Sequence, residues 1–208
     1  MLKDKAVQNN GTNGLIHKGD MVILRDKDIL RSNTETKGQY EKAMKELLIE
    51  LNLLAWYEAI HFEVPKTGQT KSNVTDMYPP DFITNLFVGG KQVIIELHGA
   101  DQQYFARIGR WRQQHGDRFY YILVKSCLDN ASEVAVQVGK TGEHGEQVDE
   151  YWTMPKIREM RRGTFSKTGT QAWKERMREE LGKFIEERTD KCEDWEAAAA
   201  LINVRRAS

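Results

Sequence analysis

The spacing of apolar residues changes period along this chain, and the changes predict alternating helix and strand. Tyr40, Ala43, Met44, Leu47, Leu48 and Leu51 recur three and four positions apart behind the capping candidates Thr34 and Thr36, which predicts a helix over about 36–52. Trp56 to Val64 alternates as a strand does. Phe82–Phe87 and Val93–Leu97 are short apolar, β-branched runs separated by Val88-Gly89-Gly90-Lys91-Gln92, whose glycine pair suits the positive φ angles of a hairpin turn. Asp101 then predicts the cap of a second helix with the stripe Tyr104, Phe105, Ile108 and Trp111, ending at Gly116, and Phe119–Val124 reads as a fully apolar strand. Farther on come a strand over Glu133–Val138, a glycine-rich turn over 139–147, a helix with Trp173, Met177, Leu181 and Phe184 on one face, and another over about Trp195–Val204.

The predicted class is α/β, with three regions. Residues 1–35 form a polar N-terminal arm with one short strand at Met21–Arg25, residues 36–150 form the core, and residues 151–208 form a basic, helical C-terminal region. A chain of 208 residues can bury a sizeable core, and 39% hydrophobic with 30% charged residues is the composition of a globular protein. No apolar run is long enough to cross a bilayer, and Met1-Leu2-Lys3-Asp4-Lys5 lacks the apolar segment of a signal peptide, so the expectation is a cytoplasmic protein with no membrane partner. Cys127 and Cys192 are too few for a disulfide framework or a zinc site, and free thiols are expected.

Candidate chemistry concentrates between Tyr78 and Gly99. The hairpin reading sets Asp81 at the mouth of one strand beside Glu96 inside the next. A glutamate between Val93-Ile94-Ile95 and Leu97 is costly to desolvate unless it is paired, protonated or bound to a cation. At 100° per residue Glu41 falls on the edge of the first helix's apolar stripe, positioned to look into a site beside the sheet, whereas Glu46 and Glu50 face away. Hard oxygen ligands of this kind suit Mg²⁺ or Mn²⁺.

Pro80-Asp81 followed by Glu96-Leu97-His98 resembles the motif of the PD-(D/E)xK nuclease superfamily, with histidine where that family usually has lysine. The helix beginning Gly38-Gln39-Tyr40-Glu41-Lys42-Ala43 is similar to the opening helix of archaeal Holliday-junction resolvases, where an acidic residue joins the site. Ile95-Glu96-Leu97-His98-Gly99 resembles the strand end of very-short-patch-repair endonucleases, where a His-Gly pair stands. The likeness covers roughly Gly38 to Ser126. It implies a restriction-endonuclease-like mixed central sheet with an α-β-β-β-α-β core, extended by a helical C-terminal region, and metal-dependent cleavage of DNA. Asp81 and Glu96 would then ligate the metal with the Leu97 carbonyl as a third protein ligand, Glu41 would support the metal or its water, and His98 would orient or deprotonate the nucleophile. A homodimer is expected by analogy with nucleases of this size.

Three accounts of the missing lysine compete. His98 takes the role, a lysine has migrated from Lys125 or Lys91, or activity has been lost. The last leaves a non-catalytic nucleic-acid-binding or assembly module; a metal-independent RNA endonuclease built on His98 would leave Asp81 and Glu96 without a purpose.

Net charge is zero, yet the charge is segregated. Lys156 to Arg178 holds eight basic residues against two acidic ones, and Glu179 to Glu196 eight acidic against three basic. Arg158, Arg161, Arg162, Lys167 and Lys174 are the candidate phosphate contacts in the first stretch, with a solvated charged face as the bland alternative. Arg107, Arg110 and Arg112 are assigned to the solvated outer face of the second helix, and Trp173 to the core.

Overall fold

Long β-branched and aromatic runs put the centre of the molecule in a mixed sheet. The structure, a computed structural model, describes residues 38–58, 62–65, 75–97, 102–128, 135–138 and 148–192. In chain order the elements are α1 (Gln39–Glu50), β1 (Ala55–Tyr57), β2 (Phe62–Pro65), β3 (Thr75–Tyr78), β4 (Phe82–Val88), β5 (Lys91–Leu97), α2 (Gln102–His115), β6 (Phe119–Leu128), β7 (Ala135–Val138), β8 (Glu150–Pro155), β9 (Glu159–Arg161), β10 (Thr164–Phe165), α3 (Lys167–Arg188) and β11 (Asp190–Lys191). The N-terminal arm with its strand at Met21–Arg25, the caps Thr34, Thr36 and Asp101, the 139–147 turn and the helix expected over 195–204 lie outside the described residues.

The main sheet runs β1-β4-β5-β6-β8-β7, with β11 pairing on β4 beyond β1. Its centre is parallel, β5 on β6 on β8, and the flanking pairs are antiparallel. Parallel strands are covered on both faces, which is why Phe119–Val124 is buried throughout instead of alternating. Gly89 (φ 55°) and Gly90 (φ 78°) close the β4–β5 hairpin with two left-handed residues, as the absence of a Cβ allows.

Alternation along β5 divides the core. Val93 and Ile95 join α1 and α3 on one face, through Met44, Leu47, Trp152, Trp173, Met177 and Leu181. Ile94 joins α2 and the β2–β3 ribbon on the other, through Phe62, Tyr78, Ile108, Trp111 and Tyr121. Trp173 is fully buried, as its helical stripe predicts, and its indole N–H donates to Ser126 Oγ at 2.9 Å.

Two departures from expectation have local causes. The strand predicted over Trp56–Val64 breaks because Glu58 takes a left-handed conformation (φ 42°), which turns the chain out of the main sheet; β2 then pairs with β3 in a separate ribbon. The regional division expected at 150/151 falls at the first residues of β8, a strand held between β6 and β7. The C-terminal region therefore supplies a sheet strand and the helix that covers one face. A buried network ties that helix down: Glu150, 1% exposed, accepts from Arg188, from the Tyr120 hydroxyl (2.8 Å) and from Trp152 Nε1 (2.6 Å). Burial first, and then the Glu150 charge, push the Tyr120 hydroxyl's pKa up and keep it neutral.

Candidate active site

The antiparallel register of β4 and β5 pairs Phe82 with Ile95, so the next row outward is Asp81 opposite Glu96. Strand alternation puts Glu96 on the α2 face, and both carboxylates are buried, at 8% exposure for Asp81 and 5% for Glu96. Each is oriented by the other's backbone: the Asp81 N–H donates to Glu96 Oε2 at 3.0 Å, and the Leu97 N–H donates to Asp81 Oδ2 at 2.8 Å. The Tyr78 hydroxyl also donates to Glu96 Oε2 (3.0 Å) and, its one proton so used, accepts from the Tyr121 hydroxyl at 2.5 Å. Tyr78 is fully buried, so the glutamate is approached by a fixed donor.

Charge accumulates around Asp81. Burial, and after it the charge of Glu96, drive its carboxyl well above the usual aspartate range; the Leu97 N–H opposes this, and Glu41 and Glu58 add to it. Among the described residues no lysine, arginine or histidine pairs with Asp81. Glu41 reaches the site from the first turn of α1 and is held by the Tyr57 hydroxyl, which donates to its Oε2 at 2.5 Å. Glu58 was not anticipated. Its backbone N–H donates to the Asp81 carbonyl at 3.0 Å, and the left-handed turn that ends β1 keeps it there. Nothing in the sequence marks it, because Trp56–Val64 reads there as one unbroken strand. Tyr78 was equally unmarked, two residues ahead of the Pro80-Asp81 pair.

Several charged residues stand elsewhere than expected. His98 lies outside the described residues. Lys91 begins β5 at the strand's opposite end, about 20 Å from Glu96–Leu97 at the rise of a strand, and its Nζ donates to the Gly116 carbonyl at 2.9 Å. It is therefore no candidate for the motif lysine. Lys125 is different: Leu97 pairs with Val124, so Lys125 stands in the next row outward on the adjacent strand and shares the Glu96 face. Of the helix arginines, Arg112 is not on a solvated face but forms a two-pronged ion pair with Asp149 (2.6 and 2.5 Å), and the Arg107 guanidinium lies over the Tyr78 ring, 5.5 Å from its centroid.

The basic stretch divides in the same way. Arg158, Arg161, Arg162 and Lys167 are exposed, whereas Lys174 is buried against α1, with Nζ on Glu50 at 2.5 Å and Glu46 at 3.3 Å. Burial acts to lower the Lys174 pKa, but those two carboxylates outweigh it and raise it. Its charge is thus answered inside the protein. Arg178 likewise pairs with Glu50, so the two glutamates that turn away from the site hold α1 to α3.

The donor set is all oxygen, carboxyl groups with one backbone carbonyl, which fits a hard divalent cation and not a soft one. Among the described residues no three His, Cys, Asp or Glu side chains are grouped as a metal cage. A Mg²⁺-like ion, which retains waters and takes one or two carboxylates, needs no such cage. No described helix is long and apolar enough to cross a membrane. No family model, no curated protein and no solved structure matches this chain.

Proposed function

We propose that this chain is a divalent-metal-dependent DNA endonuclease with a restriction-endonuclease-like core. The observation that carries the reading is the buried, mutually oriented pair Asp81 and Glu96, with Glu41 and Glu58 crowding further negative charge onto Asp81. Such surroundings favour the protonated carboxyl, and a bound cation would favour the carboxylate. The element order supports the fold assignment: with the β2–β3 ribbon set aside, the chain passes through α1, β1, β4, β5, α2 and β6, which is helix, three strands, helix, strand.

Asp81, Glu96 and the Leu97 carbonyl would hold Mg²⁺ or Mn²⁺, with Glu41 and Glu58 orienting its waters. A bound divalent ion lowers the pKa of water and stabilises charge on a phosphate. The chain's own contribution is to fix the carboxylates through two backbone N–H groups and the Tyr78 hydroxyl, so that no side-chain rearrangement is needed on binding. His98 would take the proton from the attacking water, or Lys125 from the neighbouring strand would hold positive charge beside the phosphate, while the water oxygen bonds to phosphorus, the scissile phosphorus–oxygen bond breaks and the leaving oxygen is protonated from solvent.

Mixed DNA and RNA substrates incubated with Mg²⁺, Mn²⁺ or chelator test the reading. The expected result is DNA cleavage only with metal, abolished in Asp81→Asn and Glu96→Gln while both variants stay folded. Near wild-type cleavage by either variant removes the metal pair from the mechanism. RNA cleavage in chelator selects the metal-independent ribonuclease, and DNA binding without turnover in any metal selects the non-catalytic module.

A further inference from the structure

We propose that the β9–β10 hairpin is a docking ribbon for double-stranded DNA, entering a groove with Met160 as an apolar contact while Arg161 and Arg162 take the flanking phosphates. The identity of the nucleic acid rests on the nuclease reading; the surface has its own evidence. All three residues of β9 are exposed, and Met160, at 68% exposure, is the one large hydrophobic residue exposed to that degree among the described residues. Strand alternation points it opposite to Glu159 and Arg161. A thioether left in water beside arginines has no packing reason within the fold.

Among the described residues Arg161, Arg162 and Lys167 make no ion pair, in contrast with Lys174 and Arg178 on the same stretch. The hairpin is closed at its tip and tied at its base by hydrogen bonds from backbone N–H groups, with a register irregularity at Thr164–Phe165. Arg162 (φ 42°) and Gly163 (φ 80°) form a tight left-handed turn, and the Gly163 N–H donates to Glu159 Oε1 at 2.6 Å. At its base the Ser166 N–H donates to the Arg158 carbonyl at 3.0 Å, and the Ile157 N–H donates to the Tyr40 hydroxyl at 2.7 Å. Tyr40 is the helix neighbour of Glu41, so α1 braces the ribbon and the carboxylates from consecutive positions.

Register places the ribbon at the working end of the sheet. Leu97 pairs with Val124 and Val124 with Trp152 in parallel ladders, so the chain leaving β8 at Pro155 emerges at the end of the sheet where Glu96 and Leu97 stand. Two strand spacings, about 10 Å, separate β5 from β8. A duplex laid across this end would meet both features. The major groove admits a two-stranded ribbon, and apolar residues such as methionine wedge between base steps in the minor groove.

The test uses the full chain in chelator, with binding to duplex and single-stranded DNA of equal length measured over a range of salt. Arg161→Ala with Arg162→Ala should weaken duplex binding by about one to two orders of magnitude near 0.1 M salt and flatten the logarithmic salt slope by about 1.8. Met160→Ala should weaken duplex binding several-fold with the slope unchanged, and should leave single-strand binding as it was. Replacing both arginines by lysine should keep the slope, which separates lost charge from a damaged hairpin. Unchanged duplex binding in both alanine variants overturns the ribbon, as does equal loss on duplex and single strand with no effect of Met160. Wild-type protein that binds no DNA overturns it too and leaves an acidic protein as the partner of this surface. Because binding is read without metal, failure of cleavage alone sinks the nuclease reading and leaves the ribbon standing; cleavage that survives unaltered in the variants does the reverse.

Discussion

Asp81 and Glu96 are locked by exchange: the backbone N–H of Asp81 donates to the Glu96 carboxylate at 3.0 Å, and the N–H that follows Glu96, on Leu97, donates to Asp81 at 2.8 Å. Neither carboxylate can turn away without breaking a hydrogen bond supplied by the other's strand. The arrangement keeps two like charges adjacent in a buried place, where repulsion and desolvation both oppose full ionisation.

That cost has a measurable sign. The folded chain holds a proton on Asp81 more tightly than the unfolded chain does, so the metal-free fold loses stability as pH rises from the ordinary aspartate value of about 3.9 through the raised folded-state value. Asp81→Asn should therefore be more thermostable than wild type at neutral pH in chelator, with the difference fading below about pH 4. The gain should appear as about 2–4 °C in midpoint for each kcal/mol of relieved cost. Mg²⁺ at a hundredfold its dissociation constant should stabilise the wild type by about 2.7 kcal/mol and the variant far less. Thermal melts with and without metal check both, and a variant less stable than wild type at neutral pH would contradict the electrostatic account.

Glu58 offers a separate handle on the same group. Its negative charge helps raise Asp81, while its backbone bond to the Asp81 carbonyl does not depend on the side chain. Glu58→Gln should move the acid limb of the pH–activity profile to lower pH, because Asp81 then ionises more readily and binds metal sooner as pH rises. An acid limb that stays in place, in a folded variant, would show that Glu58 does not act on the site.

How much of this was legible depended on whether the cause was local. The β4–β5 hairpin, the Asp81–Glu96 row and the buried Trp173 follow from period and turn chemistry within short windows. Glu58 was invisible because its importance comes from a left-handed turn that interrupts an apparently continuous strand. Lys174 looked like its basic neighbours because nothing near it in sequence reveals that Glu46 and Glu50, more than a hundred residues earlier, neutralise it. Arg112 was misassigned for the same reason, its partner Asp149 lying after two further strands. Long-range ion pairs carry no local pattern.

The Glu150 network is one such hidden pair, and it bears on stability alone. Arg188→Ala would leave Glu150 buried with two neutral donors and no cation. Removing one partner of a buried pair costs about 3–5 kcal/mol, and urea unfolding should show a loss toward the lower end, since the arginine is about one-third exposed. Glu150→Gln with Arg188→Met, which removes both charges, should recover much of it. Equal losses in the single and double variants would mean that packing, and not charge compensation, is the dominant contribution.

Which residue completes the site turns on sheet geometry. Lys91 is removed by its distance, which leaves His98, next in sequence after β5, and Lys125 on the adjacent strand, one row beyond the Leu97–Val124 pair and on the Glu96 face. An ammonium at Lys125 would hold positive charge beside the phosphate without altering the E-x-H segment. If imidazole is the base, His98→Ala should remove most turnover, His98→Lys should restore part of it, and wild-type activity should fall as pH drops through the imidazole range near about 6.5. If Lys125 has the role, Lys125→Ala should remove turnover, His98→Ala should be tolerated, and the imidazole-range limb should be absent. Single-turnover cleavage of the full chain at several pH values separates the two, because each variant changes a different limb of the profile. Normal cleavage by both alanine variants would exclude both residues and leave the carboxylates to activate the water unaided.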